Sequence, residues 1–211
     1  MKKTTKMKTP WGMIFFGGLA LLLLVAIVFF SDPIFCSNFA EVIPGEVYKS
    51  AQMTDYKLRQ TIREHDIKAI INLRGQKDEA WYEKEKQLCI DEGVTLIDIG
   101  LSGSKRPRRE ELRQLVKALI DCQGIATHIH CRQGVDRASM AGALAVIVKH
   151  GDAERARDVF ALKNLAIGVG FNGRMRSVLE EYLTWAEQSN KSLGHASLSE
   201  WAKDSYTGRA K

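Results

Sequence analysis

The sequence predicts an α/β fold, a mainly parallel central sheet flanked by helices and preceded by one transmembrane helix. Three observations carry that expectation. Short apolar runs, KAIINL at 68–73, VTLIDIGL at 94–101 and IATHIH at 125–130, alternate with longer segments of helical period. That is the pattern of a parallel sheet covered on both faces. The stretch WGMIFFGGLALLLLVAIVFF at 11–30 is twenty residues without a charge, and as a helix it spans about 30 Å, the thickness of a hydrocarbon core. Finally, the strand at 125–130 runs directly into Cys131, and in such sheets ligands sit at the carboxyl ends of strands.

The elements follow in order. Residues 1–10 form a basic tail with Lys2, Lys3, Lys6 and Lys8. The apolar run 11–30 lacks the polar face of a core helix. It ends in bulky Phe29 and Phe30 rather than in a small-residue cleavage site, so an uncleaved anchor is expected, with cleavage as the alternative. In the next twenty residues only Lys49 is basic. The amino terminus therefore stays cytoplasmic. In a bacterial cell this gives a single-pass inner-membrane protein with its folded domain in the periplasm. A linker at 31–40, a folded domain at 41–188 and a C-terminal tail at 189–211 complete the chain.

Within the domain, EVIPGEVYKSAQ (41–52) reads as a hairpin around Pro44-Gly45. Thr54 caps a helix running to about Glu64. A helix at 79–93 is stopped by Gly93. SGSKRPRR is a loop, followed by a helix at 109–121 with Leu112, Leu115, Val116 and Leu119 at helical spacing. From Arg137 the segment ASMAGALAVIVKH is small and apolar on nearly every side, so that helix is central and buried. Asp152 starts the next helix, a long one covers 174–188, and LSEWAKDSY forms a short one. Trp81 and Trp185 are expected as core anchors.

The formal net charge is +6. Without the four tail lysines, 27 basic residues face 25 acidic ones. A nucleic-acid binder would be more basic over its folded part, so no nucleic-acid partner is expected. The tail lysines suit a membrane surface. Cys36, Cys89, Cys122 and Cys131 fit no zinc spacing, and their pairing is not fixed by sequence. No metal and no cofactor are expected.

IHCRQGVDRAS (129–139) carries the chemistry. A strand ends at His130 and a helix begins near Arg137. The backbone N–H groups of Cys131 to Asp136 can wrap around one anion, helped by the positive end of the helix dipole. Gly134 lets the loop bend, and Arg132, Gln133, Gly134 and Val135 supply the cradle. Arg137 can hold two phosphate oxygens with its planar fork. A thiol placed there is favoured as the thiolate, aimed at phosphorus. His130 supports the loop by hydrogen bonding.

HCRQGVDR resembles the His-Cys-x5-Arg signature of cysteine-dependent protein tyrosine and dual-specificity phosphatases. VYKSAQ, IINLRG and WYEKEKQLCIDEGVTLIDIGL resemble the corresponding parts of small bacterial, membrane-anchored members, over about residues 40–188. The resemblance implies a phosphatase fold, Cys131 as nucleophile, Arg137 as phosphate clamp and no metal. Two departures stand out. Ala138 replaces the usual Ser or Thr after the arginine, as in the phosphatases of regenerating liver, so slow breakdown of a phosphocysteine is expected. The loop that usually supplies an aspartate as general acid, GLSGSKRPRR, has no carboxylate, and Ser104 falls at its place. Asp136 occupies a position that carries an acid in myotubularin-type phosphatases. It is the candidate acid here, with Asp98 as alternative and a helix cap as Asp136's structural role.

The expected function is hydrolysis of phosphate monoesters, on protein phosphotyrosine or with dual specificity. The alternatives are a lipid or phosphoinositide head-group phosphatase and a non-catalytic phosphate-binding module. The partner is a phosphorylated protein or lipid. Lys105, Arg106, Arg108 and Arg109, with Arg132, form a basic rim suited to an acidic substrate.

Overall fold

The computed structural model describes residues 38–160 and 171–209. The expected span at 11–30 and Cys36 lie outside them. Among the described residues no helix is long and apolar enough to cross a membrane.

Five strands of four residues each form one sheet in the order β1-β2-β5-β3-β4. β1 (Ala40–Ile43) and β2 (Val47–Ser50) make an antiparallel hairpin, turned at Pro44-Gly45 with Gly45 at φ 71°. β3 (Ala69–Asn72), β4 (Thr95–Asp98) and β5 (Thr127–His130) join β2 in parallel. The sheet is therefore mixed, with its antiparallel strand at one edge. The ladder takes Thr95–Asp98 from the extended run expected at 94–101 and Thr127–His130 from the run expected at 125–130. Beyond Asp98 the backbone still bonds the β3 side, from Ile99 N to Asn72 O (2.9 Å) and from Leu101 N to Leu73 O (3.2 Å), before it enters the loop that overhangs the site.

Alternation of side chains divides the sheet into two faces. Tyr48 and Ile70 point to the face closed by α1 (Asp55–Glu64) and α2 (Ala80–Glu92), where they pack with Leu58, Ile62 and Leu88. Ile71 and Ile129 point to the other face, with residues of α3 (Arg109–Asp121) and α4 (Asp136–His150). The ends of α1 and α2 follow sequence rules. Thr54 accepts a hydrogen bond from the Lys57 N–H, and Gly93 closes α2 in the left-handed conformation.

Every residue of α4 from Ala138 to Val148 is buried. Its small side chains let neighbours approach closely. A methyl group added at Gly142 would lie 3.2 Å from Val42 and 3.3 Å from Val159. α4 is the hub, packing against α3, α5 (Ala153–Asp158), α6 (Phe171–Gln188) and α7 (His195–Glu200). It begins at Asp136, one residue before the expected start.

Residues 189–209 fold against this core. After α7 comes one π-helical turn, Trp201–Ser205. Trp201 and Tyr206 are among the largest fully buried side chains. The Tyr206 hydroxyl donates to Pro107 O (2.9 Å), and Arg109 Nε donates to Tyr206 O (3.0 Å). Trp81 differs from its expected role as a core anchor. It is half-buried at the rim, with the Arg74 guanidinium 3.6 Å above its ring. Trp185 is likewise only partly buried.

Candidate active site

The parallel strands end in register. Ser50 pairs with His130, His130 with Asn72, and Asn72 with Asp98. These strand-final side chains share one face, and α2 locks two of them, His130 and Asp98. His130 Nε2 lies 2.7 Å from Glu85 Oε1, with both side chains 2% exposed. Burial pushes the Glu85 carboxyl up, but hydrogen bonds from His130 and Gln52 and the His130 and Arg74 charges outweigh it and hold the group below its ordinary value. Asp98 accepts from Asn72 Nδ2 (2.8 Å) and from the Tyr82 hydroxyl (2.6 Å). Each Asp98 oxygen thus has a partner, and the residue ties β4 to β3 and α2. Ser50 Oγ meets His128 Nε2 at 2.7 Å. Burial holds His128 near pKa 3, so it is neutral at physiological pH.

Cys131 follows His130 directly and is 3% exposed. From there the chain turns through Arg132, Gln133, Gly134 and Val135 into α4. Three successive carbonyls of this loop are held from outside. Arg132 O accepts from Gln52 N (3.4 Å), Gln133 O from Asn38 Nδ2 (3.2 Å) and Gly134 O from Lys49 Nζ (3.0 Å). In a trans peptide the N–H points opposite to the carbonyl. The N–H groups of Gln133, Gly134 and Val135 therefore turn inward. The Gly134 N–H reaches Cys131 Sγ at 3.2 Å. Gly134 has φ 69°, and a Cβ there would stand 2.3 Å from Ala51 N and 2.4 Å from Ser50 C. Only glycine fits between this loop and β2.

Arg137, in the first turn of α4, reaches over the loop. Its Nη1 donates to Leu73 O (3.1 Å) and Leu101 O (3.0 Å), in the segments after β3 and β4. A Cβ on Gly103 would lie 3.7 Å from Nη2, so the 101–104 loop overhangs the guanidinium. Asp136 precedes it. Its Oδ1 is buried with no hydrogen-bond partner among the described residues. Burial raises its pKa, against the pull of the Arg137 charge. Asp136 heads α4 without capping it, since the N-cap is Val135 and makes no side-chain cap bond.

Ser104 lies on the overhanging loop and is exposed. The basic rim is largely committed to structure. Arg106 pairs with Glu181, Arg108 with Glu111, and Arg109 with Tyr206 O. Lys105 and Arg132 are exposed. Sequence reasoning missed Lys49, Glu85 and Gln52. It also missed Arg74, which donates to Gln52 Oε1 (3.1 Å) beside the site. Cys89, Cys122 and Cys131 are free thiols. Burial pushes Cys89 up to about 12 and raises Cys122, so both are inert as nucleophiles.

A thiol ringed by inward amides at a helix start, under an arginine fork, beyond a parallel strand, defines the cysteine-dependent phosphatases. Residues 39–165 match the family model described as DSP-PTPase phosphatase fused to NAD+ kinase, and the chain belongs to that family. It is a phosphoric monoester hydrolase working through a cysteine intermediate. No match is found among curated proteins. Similar solved structures include Tk-PTP in a mutant form, at TM-score 0.55 and 19% identity, covering 71% of this chain and 97% of that one. TpbA of P. aeruginosa with phosphotyrosine has TM-score 0.52 and 15% identity, covering 82% and 93%. The catalytic core of the PP-IP phosphatase Siw14 from S. cerevisiae, with citrate, has TM-score 0.54 and 17% identity, covering 72% and 93%. At these identities the likeness is one of fold.

Proposed function

We propose that the protein dephosphorylates phosphotyrosine in proteins, alone or together with phosphoserine and phosphothreonine, from a domain tethered outside the cytoplasmic membrane by residues 11–30. The observation that carries the chemistry is the Gly134 N–H at 3.2 Å from Cys131 Sγ, with the loop carbonyls turned away. Amides set this way receive the three equatorial oxygens of a phosphoryl group and the charge they gain in the transition state. The Arg137 fork clamps two of those oxygens.

In the first step Cys131 Sγ attacks phosphorus and the ester P–O bond breaks. The departing oxygen takes a proton from Asp136, whose burial favours the protonated acid. In the second step water attacks the phosphocysteine, gives its proton to Asp136 and releases phosphate as the S–P bond breaks. Asp136→Asn is expected to slow an alkyl phosphate about 100-fold while leaving an aryl phosphate, with its better leaving group, little changed. Equal rates on the alkyl ester would remove Asp136 from this role. Because its pKa is raised, the ionised carboxylate is the destabilised form. The Asn protein should therefore be the more stable one once pH rises above the raised value.

A second reading, a multiply phosphorylated substrate such as a phosphoinositide head group, draws on Arg74. Burial lowers its pKa and Glu79 opposes this, while the charges of Arg137 and Arg132 lower it further. Three guanidiniums thus share one mouth, more positive charge than a single phosphate requires. Rates on phosphotyrosine peptides, phosphoserine peptides and phosphoinositides, with Cys131→Ser as control, decide between the readings. A preference for the phosphoinositide would overturn the first. Membrane fractionation of the full chain, with protease access from outside, tests the tether.

A further inference from the structure

Lys49 lies on β2 and is fully buried, at 0% exposure. Its register partner is Ile129 of β5, so it points to the face covered by α4. A buried ammonium is costly unless an opposite charge or good acceptors meet it. The charged and titratable groups on the neighbouring elements are Glu41 on β1, Glu46 in the hairpin turn, His128 and His130 on β5, which point to the opposite face, Cys131 and Arg132 in the loop, and Asp136, Arg137, Lys149 and His150 on α4. Of these, Cys131 alone bears on the Lys49 charge. Glu46 is engaged with Lys149 at 2.6 Å. The hydrogen bond Lys49 makes goes to Gly134 O, 3.0 Å away.

Two consequences follow from that one bond. The carbonyl of the Gly134–Val135 peptide is fixed outward, so its N–H is fixed inward. A full positive charge also lies behind the floor of the loop, opposite the side where Arg137 closes. Of the three outside anchors on the loop carbonyls, a backbone N–H, an amide and this ammonium, only Lys49 carries charge.

We propose that Lys49 is the positioning residue of the phosphate loop. Its buried ammonium holds the Gly134 carbonyl outward, aims the Val135 N–H at the phosphoryl oxygens, and is the counter-charge for the Cys131 thiolate and for bound phosphate. This rests on the phosphatase reading of the same site. Burial lowers the pKa of Lys49 to about 8, with the Cys131 charge acting the other way. The ammonium is therefore present below that value and is lost as pH rises through it, and the activity it supports goes with it.

The test uses the full chain with Lys49→Met, which keeps length without charge, and Lys49→Arg, which keeps charge at every assay pH. Two quantities are read: kcat/KM against pH on an aryl phosphate, and competitive inhibition by inorganic phosphate at neutral pH. Lys49→Met should lose about 10- to 100-fold in kcat/KM, and phosphate should inhibit it correspondingly less well. Lys49→Arg should retain neutral-pH activity and lose the alkaline decline near pH 8. Phosphate inhibition of Lys49→Met within about twofold of the parent, or an alkaline decline unmoved in Lys49→Arg, overturns the proposal. If methionine at 49 prevents folding, the Lys49→Arg profile decides alone. Turnover retained by Cys131→Ser would instead overturn the phosphocysteine mechanism, so the two failures are distinct.

Discussion

Ala138 follows Arg137 with no hydroxyl where the family usually places one, and it is fully buried. Ser139, one position on, is also fully buried, and its Oγ has no hydrogen-bond partner among the described residues. Among the described residues, the sulfur leaving phosphorus in the second step therefore receives help from backbone amides and nearby charge rather than from a hydroxyl. One neutral hydrogen bond to a leaving group is worth about a tenfold rate change. Ala138→Ser should raise the steady-state rate by that order and shrink the initial burst of nitrophenol released from its phosphate ester. A steady-state rate unchanged by the added hydroxyl would show that phosphocysteine hydrolysis does not limit turnover. The grouping of Cys131, Asp136, Arg137 and Ala138 around one loop was legible in sequence because they sit in one short stretch whose spacing reports their geometry. Lys49 was not, because its partner Gly134 is 85 positions away. A lone lysine in a β-run looks like an edge residue until the sheet order places β2 beside β5.

At the scale of elements, the site is made by strands that stop together. Ser50, His130, Asn72 and Asp98 are level across four strands, and α2 presents Glu85 and Tyr82 to that row. The strand-loop-helix unit was readable from its punctuation, apolar run, glycine, then small apolar helix. The Glu85–His130 couple was not readable. Glu85 is one of five charged residues from Glu79 to Lys86, and nothing local distinguishes it from its solvated neighbours. Its carboxyl is held below the ordinary value of 4.5. The stability it contributes is thus complete above that value and is lost as pH falls through the lower, folded-state value. Glu85→Ala should cost about 1–3 kcal/mol at neutral pH, as expected when a buried hydrogen bond to a carboxylate is lost and its imidazole partner is left unpaired. In chemical denaturation that difference should shrink as the solution is acidified below pH 4.5. A gap constant from neutral to acid pH would mean that packing, not charge, holds α2 to β5.

At the scale of the whole molecule, the chain end reinforces the loop over the site. Tyr206 bonds Pro107, Arg109 bonds Tyr206, and Arg209 pairs with Glu111. Trp201, 1% exposed, fills the space between α7 and the core. Its removal in Trp201→Ala should cost about 3–5 kcal/mol and lower the thermal midpoint, with a further loss of activity through the 101–109 loop. A midpoint within a degree or two of the parent would place the tryptophan outside the cooperative core. This role was hidden in the sequence because the last segment is short and polar, and only the contact with Pro107 shows what its aromatic residues cover. Arg106 and Arg109 appeared as part of a substrate rim for the complementary reason, since their partners Glu181 and Tyr206 come from far along the chain.

The most direct measurement is rapid quenching of the full protein in the first turnover, on a labelled aryl phosphate, followed by peptide mapping. The label is expected on Cys131, at close to one phosphoryl group per active site, appearing before the steady state. It should be absent from Cys131→Ser, which should release no phosphate. A parent enzyme that turns over without labelling Cys131, or a Cys131→Ser protein that releases phosphate at the parent rate, would contradict the mechanism.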